Sequence, residues 1–326
     1  MRILVVSDGR RGIENQALGL AEAVARHHER EGETASLATH LLSHRPAFAA
    51  LPPSLQLLSR SGSGLPEADL VIGCGRQAVA PLIGLRRSGS PAFTVYVQDP
   101  RTEPSRFDLV VAPEHDGLSG PFVETMIGSP NRITRDRIVA ETLGHAERLG
   151  GLPLPRAAIL LGGTSKTRSM SREDVTHQLQ AARELTRQGY SLMVTASRRT
   201  PDAALDAWQT YAVDHPAIWL HGPDSNGPNP YFAFLGGADV ILVTEDSTNM
   251  LTEACATGKP TYRLPMSGTP GKFAQLYHRL ETRCGVRPFN GTLDVADYPP
   301  LDETDRVAGV VLERMRSEAA KTKPSA

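Results

Sequence analysis

The sequence predicts an α/β protein of two parallel-sheet domains, and three observations carry that prediction. Short apolar runs of strand length alternate with segments of helical periodicity along nearly the whole chain. The alternation begins again near Ala157, after the cluster Gly150-Gly151-Leu152-Pro153-Leu154-Pro155, which reads as an interdomain linker. The length, 326 residues, suits two domains of ordinary size better than one core. The expected domains are 1–150 and 151–303, followed by a last helical segment, 304–326.

Each element of the first half follows from its residues. The run at 2–7 is a strand, and Gly9-Arg10-Arg11-Gly12 is a loop at its carboxyl end, where open α/β sheets bind ligands. Ala17, Leu18, Ala21, Val24 and Ala25 form one helical face, with Asn15 and Gln16 either reaching into a cleft or capping the helix. No Gly-Lys-Ser/Thr follows, so the loop is not a Walker loop. A weak strand at 34–39 leads into a Pro-interrupted, partly helical stretch to residue 60 and a loop at 61–64. The strand at 69–72 opens Gly73-Cys74-Gly75-Arg76-Gln77-Ala78. That G-x-G-x-x-A lies deep in the domain rather than opening it, which favours a tight turn presenting Arg76 over a dinucleotide site. The strand at 93–97 ends in Gln98-Asp99-Pro100-Arg101 on the same rim, and short strands follow at 109–111 and 122–123.

The second half repeats the outline. A strand at 157–161 runs into the loop Gly162-Gly163-Thr164-Ser165-Lys166, and Ser171-x-x-Asp174 starts a helix with Val175, Leu179, Ala182 and Leu185 on one face. The strand at 192–195 ends in Ser197-Arg198-Arg199-Thr200-Pro201. After a strand at 217–220 and a Gly/Pro/Asn-rich loop, a helix begins at Tyr231. The strand at 240–243 then turns through Thr244-Glu245-Asp246-Ser247 into a helix whose apolar face is Met250, Leu251, Ala254 and Cys255, stopped by Gly258 and Pro260. At about 100° per residue, Asp246, Asn249 and Glu253 share a stripe away from that face. The first turn, Ser247-Thr248-Asn249, suits a phosphate, and Glu253 is either a ribose acceptor or a solvated acid. The right-handed crossover rule sets these strand ends on one edge of each sheet, and facing edges would make a cleft.

Composition narrows the function. With 40% hydrophobic and 22% charged residues the chain folds rather than staying disordered. A net charge of -1 argues against a dedicated nucleic-acid binder, and the pairs Arg10-Arg11, Arg86-Arg87 and Arg198-Arg199 suit a phosphorylated small molecule or solvated surface. Cys74, Cys255 and Cys284 have neither zinc-ligand spacing nor the even count of a disulfide framework, so a reducing cytoplasm is the simplest compartment. No run has the length of a signal peptide or membrane span, so any membrane contact is expected to be peripheral. H-E-x-x-H and G-x-S-x-G are absent, and Tyr190, Tyr211 and Tyr231 lack the following Lys of short-chain epimerases.

A polar turn after a strand, then Ser, then Glu, then Gly-x-Pro resembles the nucleotide-binding element of GT-B glycosyltransferases. More closely, SDGRRGIENQALGLAEAV, QDPR, LGGTSK, ASRRTP, NPYFAFLGGAD and VTEDSTNMLTEA resemble the fission-factor-like family related to the plant protein that helps divide mitochondria. Its bacterial members are often labelled nucleoside-diphosphate-sugar epimerases. The resemblance implies two Rossmann-like domains facing across a cleft, GT-B-like, with the last helix returning to the first domain ahead of a frayed tail. It implies a nucleotide sugar as substrate, no metal and no tightly bound cofactor. The donor side would comprise Gly162, Gly163, Thr164, Ser165, Ser197, Arg198, Arg199, Thr244, Asp246, Ser247, Thr248, Asn249 and Glu253. The acceptor side would comprise Gly9, Arg10, Arg11, Gly12, Asn15, Gln16, Gly75, Arg76, Gln98 and Arg101. The family often carries a histidine where this chain has Ile13, so a catalytic base would have to be Asp8, Glu14 or Asp99, with Asp8 first because it ends its strand. The alternative is an adaptor without chemistry that binds another protein at a membrane surface.

Overall fold

The computed structural model describes residues 1–42, 64–165 and 168–322. The Pro-interrupted stretch, most of the loop at 61–64, Lys166 and the end of the C-terminal tail lie outside them. The chain divides into two compact units, 1–132 with 302–326, and 133–301.

The first unit is a parallel sheet of β1 (Arg2–Ser7), β2 (Ser36–Leu41), β3 (Leu70–Cys74), β4 (Phe93–Val97), β5 (Leu109–Pro113) and β6 (Val123–Met126), in the order β2-β1-β3-β4-β5-β6. Helices α1 (Arg11–Arg30) and α2 (Val79–Arg87) connect strands within it. Both faces are covered, which is why the central strands read as unbroken apolar runs. Ile3 and Val5 meet Ala17, Leu20 and Val24 of α1, together with Val307 and Val311 of the C-terminal helix (Glu303–Thr322). Leu4 and Val6 meet Val79, Leu82 and Phe107 on the other face. Edge strand β2 is mostly exposed, hence its weak pattern. His27 Nε2 lies 2.8 Å from Asp305 Oδ2, and the Asn131 N–H donates to Thr304 Oγ1 at 3.1 Å, so the C-terminal helix is part of this unit.

The second unit is a parallel sheet of β7 (Arg156–Leu161), β8 (Ser191–Ala196), β9 (Ile218–His221), β10 (Val240–Thr244), β11 (Thr261–Leu264) and β12 (Arg287–Pro288), in the order β12-β11-β10-β7-β8-β9. Its helices are α3 (Arg135–Gly144), α4 (Ala146–Gly150), α5 (Arg172–Arg187), α6 (Asp202–Val213), α7 (Tyr231–Gly237), α8 (Thr248–Cys255) and α9 (Phe273–Cys284). The expected capping box of α5 forms, with Ser171 and Asp174 satisfying each other's backbone N–H groups.

The boundary expected at 150 is corrected to 132/133. Helix α3 packs on α7: the Arg137 guanidinium lies 5.5 Å from the Phe232 ring centre, and a side chain at Gly236 would strike Thr142. The glycine-proline cluster is therefore internal to the second unit, tied down by buried Leu149 and Leu152 and by Arg156 Nε donating to the Leu152 carbonyl at 3.0 Å.

Candidate functional site

In the second sheet the chain runs from β7 outward through β8 and β9, then crosses to β10 on the other side of β7. The order reverses between β7 and β10, and ligands of open α/β sheets bind at the carboxyl end of such a reversal. The loops meeting there are Gly162 to Ser165, Ser197 to Thr200, and Thr244 to Asn249.

One carboxylate ties them together. Asp246 has a fully buried side chain and accepts from the Gly163 N–H at 2.9 Å, Thr244 Oγ1 at 2.8 Å and Arg199 Nη2 at 2.9 Å. Burial pushes this carboxyl up, and the bonds from Gly163, Thr244 and Arg199 offset only part of that rise. Thr244 Oγ1 also accepts from the Gly162 N–H at 2.7 Å. Ser197 Oγ donates to the Gly162 carbonyl at 2.8 Å, and the Thr200 hydroxyl bonds the same carbonyl. The Thr164 N–H donates to the Arg199 carbonyl at 3.2 Å. Packing is so close that a methyl group at Gly163 would overlap the Arg199 carbonyl, and one at Gly162 would overlap the Asp246 carboxylate. Ser165 turns the chain back, its N–H donating to the Arg168 carbonyl at 2.8 Å. Arg198 is exposed beside this clamp.

The stripe expected of Asp246, Asn249 and Glu253 does not form. Helix α8 starts at Thr248, so Asp246 precedes it and turns back toward Gly163. Ser247 is the N-cap residue, buried, with its hydroxyl making no bond to its own helix. Thr248 and Asn249 are partly buried in the first turn, and Met250 is also only partly buried, Thr252 taking the inner position expected of it.

Glu253 is not a solvated acid. Its Oε2 accepts a bond from the Tyr231 hydroxyl, and burial raises the carboxyl to about 7 against the lowering effect of that bond. The Tyr231 phenol is pushed up by its own burial and then by the Glu253 charge. A second buried cluster lies at the residue before Asp246: Arg168 Nη2 meets Glu245 Oε2 at 2.9 Å, and Arg263 bonds the other oxygen. The Tyr277 hydroxyl donates to the Glu245 carbonyl at 2.7 Å, and the Arg263 guanidinium lies 4.7 Å from its ring centre. Two guanidiniums share one carboxylate, leaving an excess positive charge near the ends of β10 and β11. Sequence reasoning missed Tyr231, Arg168, Glu245, Arg263 and Tyr277. One signal was available: Arg263 interrupts an otherwise apolar strand, and a charge there needs a buried partner.

In the first unit the reversal falls between β1 and β3. Asp8 comes directly after β1 rather than ending it, with its side chain buried and gripped by Arg10 through Nε at 2.9 Å and Nη2 at 2.7 Å. Glu14 Oε2 accepts from Ser7 Oγ at 2.8 Å, and Ser7 Oγ accepts from the Gly9 N–H at 3.0 Å. Asp99 Oδ1 accepts from the Arg101 N–H at 2.8 Å, and Oδ2 lies 3.0 Å from Arg101 Nε. Gln16 is buried and takes the inward role, accepting from Gln98 Nε2 at 2.9 Å. Gln98 and Arg101 hold φ values of 84° and 55°, sparsely populated for residues with a side chain. Gly75 sits against Asp8, Arg10 and Ile13, whereas Arg11, Gly12 and Arg76 are exposed and Asn15 is partly buried. Arg11 and Gly12 are the first residues of α1 rather than loop.

A family model described as mitochondrial fission ELM1 matches residues 11–315. The chain belongs to the mitochondrial fission ELM1 family. Mitochondrial fission protein ELM1 of Arabidopsis thaliana is 27% identical over 286 residues, 77% of this chain but 64% of the plant protein, so the chain spans less than two-thirds of that relative. Among solved structures, a Listeria monocytogenes protein assigned as a UDP-N-acetylglucosamine 2-epimerase aligns with a TM-score of 0.62 at 13% identity, over 99% of this chain and 97% of that one. The UDP-GlcNAc 2-epimerase of Neisseria meningitidis, solved bound to UDP-GlcNAc, aligns with a TM-score of 0.57 at 10% identity, over 96% and 100%. These likenesses are of fold, and the fold is GT-B-like. No described helix is long and apolar enough to cross a membrane.

Proposed function

We propose that the second unit binds a nucleotide sugar at the reversal between β7 and β10. The observation that carries this reading is the Asp246 clamp, which sets two side-chain-free residues, Gly162 and Gly163, beside the start of α8 and the exposed Arg198. The glycines leave room for a ligand, and a helix start and arginine are groups that take a diphosphate without a metal. The positive excess of the Arg168–Glu245–Arg263 cluster favours an anionic ligand in the same unit. Glu253, in the second turn of α8, would exchange its Tyr231 bond for ribose hydroxyls.

The test is calorimetry with UDP-GlcNAc, UDP and GDP. Glu253→Ala is expected to weaken binding by about 1–3 kcal/mol, a lost hydrogen bond to a charged group. A wild-type protein that binds none of the three would end the proposal.

Transfer of the sugar to an envelope-related acceptor is the finer reading, with Asp8 as first choice of base. One observation favours the adaptor reading instead: Ile13 replaces the expected histidine, and Asp8, Glu14 and Asp99 each already hold a partner. Nucleotide release followed in wild type and Asp8→Asn, with cell-envelope acceptors present, separates the two. Release that depends on Asp8 supports transfer. Equal nucleotide binding in both with no release supports an adaptor at a protein or membrane surface.

A further inference from the structure

Two of the three cysteines meet in the second unit. Cys255 is the last residue of α8 and Cys284 the last residue of α9, and the two helices pack against each other. Their thiols hydrogen-bond one another. The Tyr298 hydroxyl, which donates to Thr261 Oγ1 at 3.1 Å, also bonds Cys255. Both cysteines are free and buried, at 0% and 1% exposure. The backbone holds each of them in place. The Cys255 carbonyl accepts from the Gly258 and Leu301 N–H groups, at 3.2 and 3.1 Å. Gly285, left-handed at φ 68°, ends α9, and its N–H donates to the Glu281 carbonyl at 2.8 Å.

The two thiols are not equivalent. The bond from Cys255 holds Cys284 below its usual range, and the Arg283 charge adds to that effect against burial. Burial pushes the Cys255 thiol well up. Cys284 is therefore the readier thiolate, and the thiolate is the form that reacts. Cys74 belongs to the first unit, where its Sγ lies 4.0 Å from Gln16 Oε1 and burial pushes it up as well.

We propose that Cys255 and Cys284 are a redox-sensitive pair, closed to a disulfide by hydrogen peroxide. The Cys284 thiolate attacks one peroxide oxygen, the O–O bond breaks, and the departing hydroxide takes up the proton that Cys284 released. The Cys255 sulfur then attacks the Cys284 sulfenic acid at Sγ. The S–O bond breaks, the S–S bond forms, and the hydroxyl leaves as water with the Cys255 proton. One peroxide and two thiols thus give one disulfide and two waters. Burial selects the reagent, because hydrogen peroxide is close to water in size and a bulky disulfide is not. The bond ties the carboxyl end of α8 to that of α9. It also closes a loop of about 30 residues, which restricts the unfolded chain. The proposal does not rest on nucleotide binding.

The test treats the folded full chain with hydrogen peroxide, then reads intact mass and a peptide map without reductant. A mass loss of two hydrogens is expected, with the peptides that carry Cys255 and Cys284 joined. The oxidised protein should melt several degrees above the reduced one, and Cys74→Ala should cross-link as wild type does. Cys255→Ser keeps a hydrogen-bond donor but has no sulfur, so oxidation should stop at a Cys284 sulfenic acid that dimedone traps. Cys284→Ser should leave Cys255 unmodified. The wild-type peptide map stands by itself if either serine variant fails to fold. Free thiols at both positions after peroxide, in a protein that cross-links only when unfolded in urea, overturn the proposal. So does a joined pair that includes Cys74.

Discussion

Asp246 and Gly163 are joined by a 2.9 Å hydrogen bond from backbone N–H to carboxylate, and the same oxygen holds Arg199 at 2.9 Å. Three neighbouring strand ends are thereby locked through one buried side chain. The lock leaves no space at Gly163. Gly163→Ala should cost about 3 kcal/mol, the upper range for overpacking against backbone that cannot give way. Urea unfolding measures it, and wild-type stability would mean that the loops part freely.

The Tyr231–Glu253 pair makes stability depend on pH in an unusual sense. Burial raises the Glu253 carboxyl from 4.5 to about 7 in the folded protein. The folded state therefore keeps its proton where the unfolded chain has released it. The resulting stability is complete below about pH 4.5 and lost as pH rises through 7, up to about 3 kcal/mol. Glu253→Gln mimics the protonated form, so it should gain stability over wild type between pH 5 and 8 and match it in slope elsewhere. Paired unfolding curves across that range check the sign.

Arg198 and Arg199 should separate in their effects. Arg199 supports Asp246, whereas Arg198 is exposed beside the same loop. Arg199→Lys should lower both the melting temperature and nucleotide affinity. Arg198→Lys should weaken nucleotide binding alone, because an ammonium lacks the planar fork that matches phosphate. Unchanged affinity in the Arg198 variant would return that residue to the solvated surface.

Lys259 Nζ donates to the carbonyls of Leu235, Gly236 and Ala238, at 2.9, 2.6 and 2.6 Å, closing the end of α7. Burial lowers this ammonium, and the nearby Asp239 and Asp297 charges offset only part of that fall. Lys259→Met fills similar volume but strands three carbonyls. A loss of about 2–3 kcal/mol is expected, read by chemical denaturation, with nucleotide affinity unaffected.

The strands of both sheets apart from β12, the glycine loops at their rims and the start of α8 were legible in the sequence. Strands buried on two faces must be apolar throughout, and chain reversals at a rim need glycine or short polar residues, so local composition records them. Tertiary structure alone decided where the carboxylates point. Asp246 was expected on a helical stripe with Glu253, yet it turns back to a loop 83 residues earlier, because burying its charge requires donors that only Gly163, Thr244 and Arg199 supply. The same reason joins Glu253 to Tyr231 and Glu245 to Arg168 and Arg263, partners that no spacing announces. The domain boundary was decided likewise: the proline cluster looked like a linker, but the partner of α3 is α7, nearly a hundred residues on. Local sequence sets which segments become strands and helices. Which polar groups share a buried space is a property of the packed chain, since desolvated charges and amides are stable only where distant segments bring them a partner.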